Sequence, residues 1–397
     1  MNSREKLLIF ANIVLYGALT VFSYAYVDLN LTISQNTLVL KFVSFMQQLG
    51  YYKRPEATAL YLFWIICAFL FFIYNLHLFN KSKVGLVYLK ASVFINTLIL
   101  IFAYPYLSSD LFNYLFDAKI ILTYHLSPYT HKPLDFPQDD WLRFMRWVHR
   151  YSPYGPLWLG FSVIPAALGF GKFILNLFLF KITIAVFHLI NATIIYKFLK
   201  KTNAQQALLG TSFYALNPLF LIEGVANAHN DIVLSTFLLS AIIFVAGKQK
   251  LKAYTMLLLG ILIKYIPVLL LPWVLAASLG KIDAKKTIIL AIASMAIFTF
   301  LYSSVKITVP FVSAGSTQVQ FQPWYLFWTL PFVAMLPIPP LIPAAIVISA
   351  GASLRHLPFL YYGDWSHSGT TNFMQLVTVI PLILAVLLIL FRKLSPK

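Results

Sequence analysis

The chain has 397 residues, of which 60% are hydrophobic and only 11% are charged, and its mean hydropathy is +0.79. This composition excludes an ordinary soluble domain and an intrinsically disordered chain. The formal net charge of +18 would fit a nucleic-acid partner, but lysine and arginine cluster between apolar segments. That pattern belongs to a membrane topology, so we exclude nucleic acid as a partner.

Apolar segments of about 17–25 residues recur along the chain, which is the length that a helix needs to cross the hydrocarbon core of a bilayer. The first, at 7–27, has no small-residue cleavage site, so we predict a retained helix and not a signal peptide. We predict a single all-α integral membrane domain, residues 1–397, with about twelve crossings. Their approximate bounds are 7–27, 58–79, 84–106, 172–196, 205–222, 231–247, 253–264, 266–279, 286–304, 323–336, 339–354 and 374–391.

The distribution of charge predicts the orientation of these crossings. Basic clusters face the cytoplasm under the positive-inside rule, and most acids fall in the other connections, which are then exoplasmic. Both termini are therefore predicted to be cytoplasmic, and residues 107–171 to form a large exoplasmic loop. The basic clusters are Arg4/Lys6, Lys81/Lys83, Lys197/Lys200/Lys201, Lys248/Lys250/Lys252, Lys281/Lys285/Lys286 and Arg392/Lys393/Lys397.

The apolar segment at 154–170 is not counted as a crossing. It is short, it contains Pro156 and Pro165, and a crossing here would place Lys197 and its neighbours on the wrong side. We therefore predict a re-entrant or interfacial helix within the exoplasmic loop.

A helix that begins at Asp110 opens this loop. Its residues divide into two faces at helical spacing. The apolar face holds Leu111, Phe112, Leu115, Phe116 and Ile120. The other face holds Asp110, Asn113, Tyr114 and Asp117. We predict that the helix lies in the membrane interface and presents two carboxylates above it.

Asp110 is the candidate catalytic residue. It follows two serines at the start of a helix, so it could be only an N-cap, but its place just outside a crossing favours catalysis. Asp117 is predicted to be structural and paired with Lys119 or with an arginine of the loop. Tyr154 lies in a rigid turn and is either an interfacial anchor or a sugar contact.

A second polar cluster, at 224–231, precedes a crossing on the same side. Asn230 or Asp231 could cap that helix, which would not explain the whole cluster. His229 and Asp231 could also bind a metal ion, but the spacings typical of such sites are absent. We predict no metal and no cofactor.

Lys264 lies at a break in a long apolar run, beside Pro267. A buried lysine is costly unless it has an anionic partner, so Lys264 either extends to the interface or contacts a phosphate. Arg355 is a second exoplasmic cation. Trp324 and Tyr325 belong either to an aromatic belt or to a stacking surface for a sugar or lipid.

Four segments, in this order, resemble the bacterial polyprenyl-phosphate-mannose-dependent mannosyltransferases, in particular the α-(1→6)-mannopyranosyltransferase group of the GT-C superfamily. They are SSDLFNYLFDAKIILTYHLSPY, RYSPYGPLWL, NPLFLIEGVANAHNDIVL and LIKYIPVLLLPW, and a weaker match follows at QPWY. The resemblance implies a GT-C-like multi-pass bundle whose first large outer loop carries the catalytic acid, here Asp110. It also implies a lipid-phosphate sugar donor and inversion at the anomeric carbon. Ser-Ser-Asp stands here where the group more often has Ser-Arg-Asp or Ser-Asp-Asp.

The predicted function is transfer of a hexose from a polyprenyl-phosphate donor to a glycan or glycolipid acceptor at the exoplasmic face. Mannose is the preferred candidate for the hexose. Asp110 would deprotonate the acceptor hydroxyl, and Lys264, Arg355 and His229 would contact the donor phosphate. Asp110, His229 and Lys264 should then line one cavity. The predicted sugar contacts are Asn113, Tyr114, Tyr154, Asn230, Asp231, Trp324 and Tyr325.

Two other classes fit part of the sequence. A transporter, or a flippase for lipids or lipid-linked sugars, would explain the many helices and the broken spans equally well. The lack of internal repeats, the acids gathered on one side and the large outer loop favour the transferase. A scaffolding membrane protein is the weaker alternative, since it would not need acids at one face.

Overall fold

The computed structural model describes residues 1–304 and 321–394, so the last basic cluster ends outside it, at Lys397. Over these two ranges the chain forms α-helices joined by short 3₁₀ and π segments, with no β-strand. The helices of the first half are α1 (Ser3–Ser23), α2 (Thr37–Gln47), α3 (Arg54–Asn80), α4 (Leu86–Ile101), α5 (Asp110–Thr123), α6 (Pro156–Leu168), α7 (Phe173–Thr202) and α8 (Ala207–Ala215).

The second half continues the same pattern with shorter helices. A π-helix at Phe220–Ala226 and 3₁₀ helices at Ile266–Leu270 and Pro323–Trp328 join some of them. The helices are α9 (Asp231–Ala246), α10 (Lys250–Ile263), α11 (Leu271–Ser278), α12 (Ala284–Ser304), α13 (Leu330–Met335), α14 (Leu341–Ser353), α15 (Leu357–Tyr362) and α16 (Ser368–Leu394).

Five helical segments in the described ranges are long and apolar enough to cross a membrane, which makes this a helical membrane protein. They are Ser3–Tyr26, Arg54–Asn80, Phe173–Thr202, Leu341–Tyr362 and Ser368–Phe391. Ala204–Ala215 and Phe220–Ala226, which meet at a bend of 56°, together would make a sixth. Most other segments that we predicted as crossings form shorter helices, so the number twelve stays a prediction.

The segment at 154–170 forms a helix too short to cross. Helix α6 has 13 residues, which gives a length of about 20 Å against a hydrocarbon core of about 30 Å. It packs against α5, α7 and α10. Its length is as expected for the interfacial or re-entrant helix that the sequence predicts.

Helix α5 begins at Asp110, as predicted, but its apolar face does not contact lipid. Leu111, Leu115, Phe116 and Ile120 are at most 1% exposed, because α5 packs against α6 and α7. The apolar face of α5 is therefore covered by protein and not by lipid, and the position of the helix in the membrane interface stays a prediction. Apolar periodicity shows which face of a helix is buried and does not distinguish lipid from protein as the burying surface.

The centre of the molecule is the stretch from α8 to α9, which is almost completely buried. A buried lysine of α7, Lys181, donates hydrogen bonds to the backbone carbonyls of Ala103 and Ala226. These carbonyls lie just after α4 and at the end of the π-helix. Lys181 thus joins the two chain segments that lead into α5 and α9, where the candidate site lies.

Candidate active site

Asp110 is the first residue of α5, and its side chain does not cap the helix. The N-cap is Ser109, which makes no side-chain cap hydrogen bond. Oδ2 of Asp110 instead lies 3.5 Å from Nδ1 of His229, and the Asp110 side chain is 19% exposed. The carboxylate therefore meets solvent on one side and a buried imidazole on the other, which does not fit the alternative of a simple N-cap.

His229 lies between two carboxylates. Its Nε2 is 3.6 Å from Oε2 of Glu223, and its ring is fully buried and stacks on Trp324 at 3.8 Å between centroids. Burial alone would lower the pKa of His229, but the carboxylates of Asp110 and Glu223 outweigh burial and raise it. The preceding residue, Ala228, has φ of +58°, which is uncommon for alanine and typical of constrained functional sites.

Glu223 extends this contact into the protein. Its Oε1 lies 3.0 Å from Nε2 of His356, and its Oε2 accepts a hydrogen bond from the Asn227 amide. Asn227 in turn accepts from the backbone N–H of Leu107, just before α5. Arg355, which is 3% exposed, interacts electrostatically with Glu223. We call Asp110, His229, Glu223 and His356 the acid–histidine chain, because carboxylates and imidazoles alternate along it.

A second cluster contains Lys264 and Asp231. Nζ of Lys264 lies 2.8 and 2.9 Å from the two carboxylate oxygens of Asp231 and 3.4 Å from the side-chain oxygen of Asn230. Asp231 also accepts a hydrogen bond of 2.7 Å from the indole of Trp328. Neither Asn230 nor Asp231 caps α9 through its side chain. Lys264 therefore has the anionic partner that a lysine beside a helix break requires.

The 3₁₀ helix Pro323–Trp328 covers both clusters. Trp324 stacks on His229, and Tyr325 stacks on Trp328 with 4.5 Å between ring centroids. Trp324 is 9% exposed. The Trp324 ring is therefore engaged with the site and does not belong to an aromatic belt that faces lipid.

The two clusters are connected to each other and to α5. The backbone N–H of Asn230 lies 3.4 Å from the hydroxyl of Tyr114, which is fully buried. The ring of Tyr114 contacts that of Tyr154 edge to face at 4.9 Å. Tyr154 precedes Gly155, whose backbone N–H donates to the carbonyl of Ile263 at the end of α10. The turn before α6 is therefore hydrogen-bonded to the C-terminal end of α10, directly before Lys264.

A pocket of about 70 Å³ opens beside Asp110. One wall is the polar face of α5, and the other is formed by the loop that leads into α6. We call it the outer-loop pocket; its lining residues are Asp110, Asn113, Asp117, Pro133, Trp147, Arg150, Tyr151, Ser152, Pro153 and Tyr154.

The structure brings together most of the predicted site residues, but not all in one cavity. Asp110, Asn113 and Tyr154 line the outer-loop pocket, whereas His229 and Lys264 do not. His229 lies behind Asp110 and is completely buried. The expectation that Asp110, His229 and Lys264 all line this cavity is wrong, because neighbouring carboxylates occupy the space around His229 and Lys264.

The prediction that Asp117 pairs with Lys119 or with an arginine of the loop is also wrong: in the described residues Lys119 pairs with Asp139 and Arg143 with Asp140, and no ion pair involves Asp117. Nζ of Lys119 lies 2.6 Å from Asp139 and 4.1 Å from the ring centroid of Trp141. Residues two positions apart on a helix point to different sides, so Lys119 and Asp117 face different surroundings. Asp117 is 4% exposed, and burial raises its pKa to about 7.

Sequence reasoning gave no role to Glu223, which lies at the centre of the acid–histidine chain. Its signal was an acid inside an apolar stretch, which in a membrane protein indicates function. The metal alternative for His229 and Asp231 finds no support in the geometry, since the two side chains have different partners. Across residues 1–304 and 321–394, no three histidine, cysteine or acidic side chains are grouped as metal ligands.

The fold and the site define a helical membrane protein with a buried acid–histidine chain behind a polar pocket. Residues 14–280 match the family model described as alpha-(1->6)-mannopyranosyltransferase, N-terminal domain. Because the match takes in more than half of the sequence, the chain belongs to this mannosyltransferase family, as the resemblance of its segments predicted. No curated protein and no solved structure matches the chain.

Proposed function

We propose that this protein is an inverting, GT-C-type glycosyltransferase that moves mannose from a polyprenyl-phosphate donor to a glycan or glycolipid acceptor at the exoplasmic membrane face. Membership of the family supports the mannosyl group. The observation that carries the site assignment is the contact of Asp110, which lines the outer-loop pocket, with the buried His229.

The reaction needs a base, and Asp110 is the residue that we assign. In the proposed step the acceptor hydroxyl gives its proton to the Asp110 carboxylate while its oxygen attacks the anomeric carbon. The bond from that carbon to the phosphate oxygen breaks, and polyprenyl phosphate leaves with the bonding electrons. Attack opposite to the leaving group inverts the anomeric carbon.

His229 is better suited to hold Asp110 than to contact the phosphate. Both ring nitrogens face carboxylates, at 3.5 and 3.6 Å, and its ring packs on Trp324. A protonated imidazole between two carboxylates fixes their positions, as residues that hydrogen-bond to the reacting side chains do in other active sites. We therefore assign His229, supported by Glu223, a positioning role and leave the phosphate to other cations.

Lys264 and Arg355 are the cations that we assign to the donor phosphate. Charge develops on the phosphate oxygens as the glycosidic bond breaks, so a fixed cation stabilises the transition state more than the ground state. The Lys264 side chain is 20% exposed despite its pairing with Asp231. Tyr114, Asn230, Asp231, Trp324 and Tyr325, which surround this region, stay as proposed contacts of the donor sugar or its carrier.

The proposed topology follows from charge. With twelve crossings and both termini in the cytoplasm, Asp110, His229 and Arg355 would face the exoplasm, where lipid-linked donors and cell-envelope acceptors meet. Cysteine labelling from outside intact cells tests this, with Asp140→Cys and Lys250→Cys as probes. Labelling of the first and protection of the second are expected; the opposite pattern would reverse the assigned orientation.

The function itself is tested with purified protein in lipid nanodiscs. Radiolabelled polyprenyl-phosphate mannose, glucose and arabinose are each incubated with the protein and a lipid-extract acceptor. We expect label to move from the mannose donor to acceptor material. Intact donor after long incubation, combined with its movement between the leaflets of proteoliposomes, would contradict the proposal and indicate a flippase.

A further inference from the structure

Three side chains of the outer-loop pocket carry buried polar atoms that lack a hydrogen-bond partner in the described structure. They are Oδ1 of Asn113, Oδ2 of Asp117 and Oγ of Ser152. Asp117 is 4% exposed and Ser152 is 9% exposed. Buried polar groups in folded proteins are nearly always paired, so three unpaired ones around one pocket indicate a bound polar molecule.

Asp117 is suited to bind a neutral partner. Burial raises its pKa to about 7, so the uncharged acid, which can both donate and accept a hydrogen bond, is populated near neutral pH. The nearby Ser152 hydroxyl opposes this rise, but its geometry with Asp117 is not that of a hydrogen bond.

The opposite wall of the pocket is aromatic. Trp147, Tyr151 and Tyr154 line it, and the guanidinium of Arg150 lies 4.3 Å from the ring centroid of Trp147. A surface with aromatic rings on one side and a few hydrogen-bonding groups on the other suits a sugar, which has apolar ring faces and hydroxyls at its edge. The Asp110 carboxylate in the lining disfavours a phosphate, whose charge it would repel.

We propose that the outer-loop pocket binds the acceptor sugar, with Asp117 and Asn113 hydrogen-bonded to its hydroxyls. Both residues lie on the α5 face that begins with Asp110, one and two helical turns further along. A sugar held there places one hydroxyl beside the carboxylate that we assign as the base. That the bound sugar is the acceptor rests on the proposed function. The binding of a sugar to the pocket can be measured without transfer.

Binding is measured first, with hexyl α-D-mannopyranoside as the probe and wild-type protein in lipid nanodiscs free of glycoside detergent. We expect the wild type to bind the probe in isothermal titration. Asp117→Ala should weaken binding about tenfold, because the sugar hydroxyl loses its partner. Asp117→Asn should stay within about threefold, because an amide also donates and accepts.

Asp140→Ala is the matched control, since Asp140 lies in the same loop, has an 86% exposed side chain and does not line the pocket. It should bind the probe like the wild type. Thermal unfolding of each variant checks folding, and Asn113→Ala replaces Asp117→Ala if the latter does not fold. A wild type that does not bind the probe would overturn the inference, as would a folded Asp117→Ala that binds it with unchanged affinity.

Steady-state transfer to the same probe separates this inference from the proposed function. Asp117→Ala should raise the acceptor KM about tenfold and leave the donor KM and kcat near their wild-type values. If the wild type binds the probe but transfers nothing, the proposed function fails and the sugar pocket stands. If transfer occurs but Asp117→Ala raises only the donor KM, the assignment of the pocket to the acceptor is wrong. The assignment is also wrong if Asp117→Asn lowers kcat about 100-fold, which is roughly the size of a general-base effect.

Discussion

Removing the charge of Lys264 should destabilise the folded protein through Asp231. The Asp231 carboxylate is completely buried and has two short contacts to Lys264 Nζ and one hydrogen bond from Trp328. Breaking a buried ion pair by removing one partner costs about 3–5 kcal/mol. Water reaches the 20% exposed Lys264 side chain and can replace part of the contact, so we expect Lys264→Met to lose about 2–3 kcal/mol.

A double-mutant cycle in lipid nanodiscs measures this coupling. Lys264→Met combined with Asp231→Leu removes the uncompensated charge, so the double variant should recover most of the stability that the single variant loses. Lys250→Met is the control, because Lys250 is an exposed lysine at the start of α10. Equal losses in Lys264→Met and Lys250→Met, or simple additivity in the cycle, would refute the reasoning.

Two further predictions concern the loop around the pocket. A methyl group at Gly155 would meet the backbone oxygen of Leu262 at 2.2 Å, so Gly155→Ala should lower the unfolding temperature and the transfer rate. Gly160 has open space around it, so Gly160→Ala should lower neither. Burial raises the pKa of Asp117 from 3.8 to about 7, so the folded state binds more protons than the unfolded state between these values. Relative to Asp117→Asn, the stability of the wild type should therefore fall as the pH rises from about 4 to about 7. Parallel pH profiles of the two proteins would contradict this.

The sequence predicted the parts of the fold that depend on local pattern. Long apolar runs predicted Ser3–Tyr26, Arg54–Asn80 and Phe173–Thr202, which are helices long and apolar enough to cross a membrane. The spacing of polar residues predicted the face of α5 that lines the pocket. Helix α2, which follows the first crossing, was not predicted, because its 11 residues are too few to stand out as a span.

The site was predictable where its residues are close in sequence and not where distant segments meet. Asp110, Asn113 and Tyr154 were recognised as candidates, but the partners of each charge were not. His229 contacts Glu223 only because a π-helix and the left-handed Ala228 turn its ring back towards that acid. The contact of Glu223 with His356 joins distant parts of the chain. It depends on packing across the bundle, for which a single sequence carries no periodic signal.

The most direct test of the account is the transfer rate of Asp110→Asn with labelled polyprenyl-phosphate mannose. Asparagine keeps the size and polarity of the side chain at the start of α5 and removes the base. We expect a folded variant whose transfer falls by a factor on the order of 10² or more, while Asp140→Asn, in the exposed part of the same loop, keeps the wild-type rate. A folded Asp110→Asn protein with near-normal transfer would contradict the assignment of the base and leave Asp117 as the carboxylate to test.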